Sequence, residues 1–188
     1  SDIIVEYTDQ KVMEYIESIL PLLTGFDVVE QDLNKCILKN IASVNETEFE
    51  SALRKMFLLL VSYANGTYSI LRKEEYPALV ALANLESRQN KLKLFCGRVV
   101  NLTGYQKLKC PTLMYLLIQR LEDVADRLFL LSTQVLASAN KQGFKLSKVT
   151  VKLCGELTPM VEVLHDLYYT HDNEKDEKIL NMRYDMMK

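Results

Sequence analysis

The sequence has little of what most enzymes and membrane proteins need. Only two histidines occur in 188 residues. There is no Gly-x-Ser-x-Gly elbow and no glycine-rich phosphate loop, so neither a serine-hydrolase nor a nucleotide-binding motif is present. No apolar run reaches about 18 residues, so no membrane-crossing helix is expected. The net charge is only −2 and the pI is about 5.8. No basic patch with interleaved aromatics appears, and the chain alone is not expected to bind nucleic acid. The four cysteines, Cys36, Cys96, Cys110 and Cys154, show no Cys-x-x-Cys spacing. They read as buried, reduced thiols of a cytoplasmic protein. No secretory signal opens the sequence, so the Asn-x-Thr triplets at Asn45, Asn65 and Asn101 read as chance matches.

What is there is ordinary globular material: 48% apolar and 26% charged residues. A chain of this length buries about 70% of its unfolded surface, so its core needs no staples. Residues 1–44 read as a small βαββ cap. Strands are expected at Ile3–Tyr7, Phe26–Glu30 and Lys35–Lys39, the last two joined by a turn at residues 32–34. A helix over Gln10–Leu23 is capped by Asp9 and ended by Gly25, with Met13 and Ile16 on its apolar face.

From residue 45 the periodicity is helical throughout. Asn45-Glu-Thr-Glu48 forms a capping box that opens a helix to Arg72. Pro77 and Pro111 suit the first turns of two more helices, to Val100 and Ala139. A fourth helix spans Ser147–Tyr169 and is expected to kink at Pro159. A Met-rich fifth starts near Asn173. The fold class expected is mainly α: a three-helix bundle over residues 45–141, a partial second helical unit over 142–188, and the cap in front. The fourth helix carries two apolar strips, through Val161 and through Val163, and these are expected to be covered by a second copy as a homodimer through residues 147–188.

The stretch with most chemistry is Leu116–Leu131. Tyr115, Ile118, Glu122, Ala125, Phe129, Ser132 and Leu136 recur at helical spacing, and Glu122 falls inside this apolar stripe. A buried carboxylate must be paired, protonated or bound to a cation. Asp126 follows one turn later and repels it by about 0.2–0.5 kcal/mol on a bare helix. Salt bridging to a neighbouring helix and metal binding both answer this, and Asp123 with Arg127 reads as a favourable i,i+4 pair. A Glu-x-x-His step at Glu162 and His165 has the spacing of di-iron bundles, but such sites need two steps and the sequence has one. His165 is expected to be a polar partner near the bundle surface.

Leu121-Glu-Asp-Val-Ala-Asp-Arg127 resembles the third-helix motif Leu-Glu-Arg-Ile-Ala/Gly-Asp-His of PhoU, the phosphate uptake regulator family. Glu122 and Asp126 match its acidic positions, and Arg127 stands where His is usual. The family's second acidic pair corresponds to Glu86 and Asn90, so here one acid has become an amide. The order of elements from residue 3 to 170 resembles archaeal members, in which an AbrB-like DNA-binding domain comes first. The resemblance implies paired three-helix bundles and regulation of phosphate uptake by docking to transporter or sensor components, without enzymatic activity. It also implies divalent or iron ions on the acidic motif, with Glu122, Asp126, Glu86 and Asn90 as ligands. A metal-storing or redox carboxylate bundle, and the sensor half of a transcription regulator, are the alternatives.

Overall fold

The computed structural model describes residues 2–9, 11–23, 25–40, 46–103, 110–170 and 173–186. The chain is mainly helical, with a small antiparallel sheet at its N-terminal end. Strands β1 (Asp2–Glu6), β2 (Phe26–Asp32) and β3 (Lys35–Asn40) lie in the order β1-β3-β2. Helices α1 (Lys11–Ile19), α2 (Glu46–Lys73), α3 (Ala83–Thr103), α4 (Pro111–Ala139), α5 (Lys148–Tyr169) and α6 (Asn173–Met186) follow the expected order. Two compact units form: residues 1–53 with 90–118, and residues 54–89 with 119–188.

The first unit is organised by the pleat of β3. Cys36 and Leu38 point to one face, where Met13 and Ile16 of α1 cover them together with Tyr7. Val5 opposes Cys36, and Val28 opposes Leu38, so both neighbouring strands add apolar side chains to that face. Tyr7 ties the sheet end together. Its N–H donates to the Asn34 carbonyl at 2.8 Å and its hydroxyl to the Asp32 carbonyl at 2.9 Å. Within the same unit the Arg98 guanidinium lies 4.4 Å over the Phe26 ring.

The helix expected to reach Leu23 ends at Ile19 and tightens into a 3-10 turn over Leu20–Leu22. Pro21 explains this, because it has no N–H to continue the α ladder. Asp9 does cap the start, accepting from the Lys11 N–H at 2.9 Å. Gly25 follows at φ +85°, the left-handed geometry that favours glycine.

The second unit has its core at Leu71, Tyr76, Leu79, Val135 and Cys154, with the Tyr76 and Phe144 rings 5.6 Å apart. Phe57 packs against His165 and Tyr168, and Arg54 lies over Tyr169. Helix α2 ends in a Schellman motif: the Glu75 N–H donates to Ile70 and the Glu74 N–H to Leu71. Its left-handed residue is Glu74, at φ +60°, not a glycine. The third helix was expected to be α-helical from Pro77, but residues Tyr76–Leu82 form 3-10 turns and the α ladder starts at Ala83. Ser147 caps α5, accepting from the Val149 N–H, and α5 continues through Pro159 to Tyr169.

The two apolar strips of α5 are partly covered by the chain itself, with Leu157, Met160, Leu164, Leu167 and Tyr168 half-buried. Val161 and Val163 are both buried, as is Cys154. Helix α6 packs on α5, and the large apolar side chains left exposed on the pair, among the described residues, are Val149, Leu153, Leu180 and Tyr184. Three cysteines are buried as expected, but Cys110 is exposed, at the residue before α4. The capping box at Asn45 and the residues His171, Asp172 and Met187 lie outside the described residues.

Candidate functional site

The buried face of α4 runs through Ile118, Leu121, Glu122, Ala125, Leu128, Ser132 and Val135. Glu122 is 7% exposed, so the expectation of a carboxylate within an apolar helix face holds. The face is rotated from the expected stripe. Tyr115 and Phe129 are 43% and 39% exposed, while Leu121 and Leu128 occupy the centre. One residue turns a helix by about 100°, so a stripe drawn through Glu122 lies off the true axis.

Asp126 is exposed, and Glu86 and Asn90 on α3 are half-buried. Glu86, Asn90 and Glu122 each interact with another group. The expected pairing of Asp123 with Arg127 gives way to one with Arg120, three residues back, at 2.8 Å. Both partners are largely exposed, so the pair contributes about 0–1 kcal/mol.

Sequence reading missed the Tyr63 hydroxyl of α2, a buried polar group whose ionisation the Glu86 and Asp126 carboxylates oppose. Burial pushes the Tyr63 pKa up to about 12, and the two carboxylates push in the same direction. The Ser132 hydroxyl pulls it down but does not meet hydrogen-bond geometry with Tyr63. That hydroxyl donates instead to the Leu128 carbonyl at 2.8 Å. Thr67 of α2 and Gln89 of α3 are also fully buried polar residues of the second unit. Both interrupt apolar helical stripes, Leu60-Ala64-Thr67-Leu71 and Leu85-Gln89-Leu92-Cys96. The test that singled out Glu122 would have found them.

Hard and borderline cations want several oxygen ligands at once. Among the described residues no three His, Cys, Asp or Glu side chains form a group that could hold a metal ion. Glu162 is exposed, and His165 turns its Nδ1 to Asp166 Oδ1 at 3.4 Å. The His165 ring is half-buried, edge-on to Phe57 at 5.3 Å. No helix among the described residues is long and apolar enough to cross a membrane.

Comparison with known proteins finds no matching family model, no matching curated protein and no matching solved structure.

Proposed function

We propose that this chain is a PhoU-type regulator of phosphate uptake and homeostasis that works by docking to protein partners rather than by catalysis. The observation that carries this reading is the α4 segment Leu121–Arg127, with Glu122 buried in the helix face and Asp126 exposed one turn later. The order of a strand–helix–strand–strand cap followed by long helices supports it. The partners are components of a phosphate transporter or of its sensor. A second copy of the chain is a further partner. Its contact, within residues 147–188, would use the exposed Val149, Leu153, Leu180 and Tyr184 and the half-buried residues of the α5 strips.

The test is deletion of the gene in its own organism, with phosphate uptake measured in phosphate-replete cells. Uptake is expected to rise on deletion and to fall back when the wild-type chain is restored. Unchanged uptake, together with no transporter or sensor component retained on the immobilised full chain, would overturn the reading.

A further inference from the structure

The sheet of the first unit has two edges, and they differ. At one, β2 is broken by a bulge between Val28 and Glu30. A bulge is a common way of closing an edge to further pairing. At the other, β1 pairs with β3 without interruption from Asp2 to Glu6, and with no other strand among the described residues. Its Ile3 and Ile4 are 45% and 58% exposed.

The register shows which backbone groups of β1 face outwards. The Tyr7 N–H donates to the Asn34 carbonyl at 2.8 Å, which sets the phase of the ladder. Hydrogen-bonded and non-bonded pairs alternate along antiparallel strands. Val5 with Cys36 and Ile3 with Leu38 are therefore bonded pairs. The N–H and C=O groups of Asp2, Ile4 and Glu6 turn away from β3, to the open edge.

The side chains of these three residues lie on the outer face of the sheet, opposite Lys39, Ile37 and Lys35. Lys39 also opposes Asp27, and Lys35 also opposes Asp32. Each lysine thus sits between two acids, one on each neighbouring strand. A base beside Asp2 and another beside Glu6 would balance both rows, and an apolar side chain beside Ile4 would extend the row through Ile37. β3 itself has that pattern, Lys35-Cys-Ile-Leu-Lys39, and is the strand that β1 already accepts on its other side. A second copy of β1 does not have it. Paired antiparallel about Ile4, two copies set Asp2 against Glu6 twice, and like charges directly opposite destabilise. We propose that the open edge of β1 receives, as an added antiparallel strand, an extended segment of a protein partner that is basic at both ends and apolar between. This surface shares no residue with the α4 segment, so it stands whether or not the chain regulates phosphate uptake.

The probe is the acetylated and amidated peptide Gly-Lys-Val-Ile-Val-Lys-Gly, titrated into the full chain and followed by NMR and amide hydrogen exchange. The Ile4 and Glu6 amides are expected to gain protection, while those of Ile3 and Val5, already bonded to β3, change little. The charge-reversed peptide Gly-Glu-Val-Ile-Val-Glu-Gly should bind about tenfold more weakly or worse, since both end pairs then oppose like charges. Ile4→Pro removes an N–H that faces the open edge and none that faces β3, so it should abolish binding and leave the ladder to β3 intact. If Ile4→Pro does not fold, Asp2→Asn combined with Glu6→Gln keeps the test, because the two peptides should then bind alike. Equal affinity of the two peptides for the wild-type chain would overturn the proposal, as would no binding of the basic peptide at millimolar concentration. Ile4 and Glu6 amides that are protected in the concentrated free chain and lose protection on dilution would assign the edge to a second copy, and overturn it too.

Discussion

Replacing Gly155 by alanine tests the packing of α5 on α2. An added Cβ would stand 2.8 Å from Cε2 of Tyr68, 3.1 Å from Cζ and 3.3 Å from Cδ2. These are atoms of a rigid ring packed against the core of the second unit, not the end of a flexible chain. Two terms oppose each other. Alanine is better than glycine in a helix interior by about 0.8–1.0 kcal/mol. Overpacking of this kind costs about 1–3 kcal/mol. The net expectation is a loss of about 1 kcal/mol, which lowers Tm by about 2–4 °C for a domain of this size. Two other helix glycines serve as controls. At Gly97 the nearest atom to a new Cβ is Tyr115 Cε2 at 3.6 Å, an ordinary contact. Gly97→Ala should therefore keep the propensity gain and raise Tm by about 2–4 °C. At Gly66 the neighbours are the methyls of Leu82, which can yield by a few tenths of an ångström, so Gly66→Ala should be close to neutral. Thermal melts followed by circular dichroism give the three values. The reasoning fails if Gly155→Ala stabilises as much as Gly97→Ala does, because Tyr68 would then not be held where the structure puts it.

The parts of the fold legible in the sequence are those set by a local cause. Pro111 opens α4, Ser147 caps α5, and the alternation of Cys36 and Leu38 gives β3 its buried face. What was not legible depends on competition between neighbours. Pro21 and Pro77 both sit in apolar helical patterns, yet the chain around each adopts 3-10 turns, because a pattern does not record a missing N–H. Glu74 ends α2 in a conformation for which the sequence offers no glycine. Asp123 had Arg120 and Arg127 within one turn on either side and paired with Arg120. The apolar strips of α5 did not reveal which residues of its own unit it packs against, as distant as Phe57 and Leu71. At the candidate site, Glu122 stood out because a charge in an apolar stripe is conspicuous. Thr67 and Gln89 break their stripes just as fully but carry no charge, and so went unread.

Other outcomes follow from single residues. Glu74→Gly should stabilise the chain by about 0.5–1 kcal/mol, since a side chain in the left-handed region costs about 1–2 kcal/mol and glycine's greater unfolded entropy offsets part of the gain; a lower Tm than wild type would refute the strain. Cys110 should react quickly with a thiol reagent in the native protein, while Cys36, Cys96 and Cys154 react only on unfolding. Burial also pushes the Cys96 thiol up to about 12, so raising the pH to 9 should not expose it to reaction. Tyr63 gives the sharpest pH dependence. Its hydroxyl is raised from 10.0 to about 12, chiefly by burial and then by Glu86 and Asp126. The folded state therefore holds this proton more tightly than the unfolded state does. The stability it contributes is complete below pH 10 and is lost as the pH rises from 10 towards 12. Tyr63→Phe removes that proton, so wild type should lose stability relative to the variant across this window in urea titrations at stepped pH. A gap that stays constant from pH 9 to 12 would show that Tyr63 ionises alike in the folded and unfolded chain, contrary to its burial.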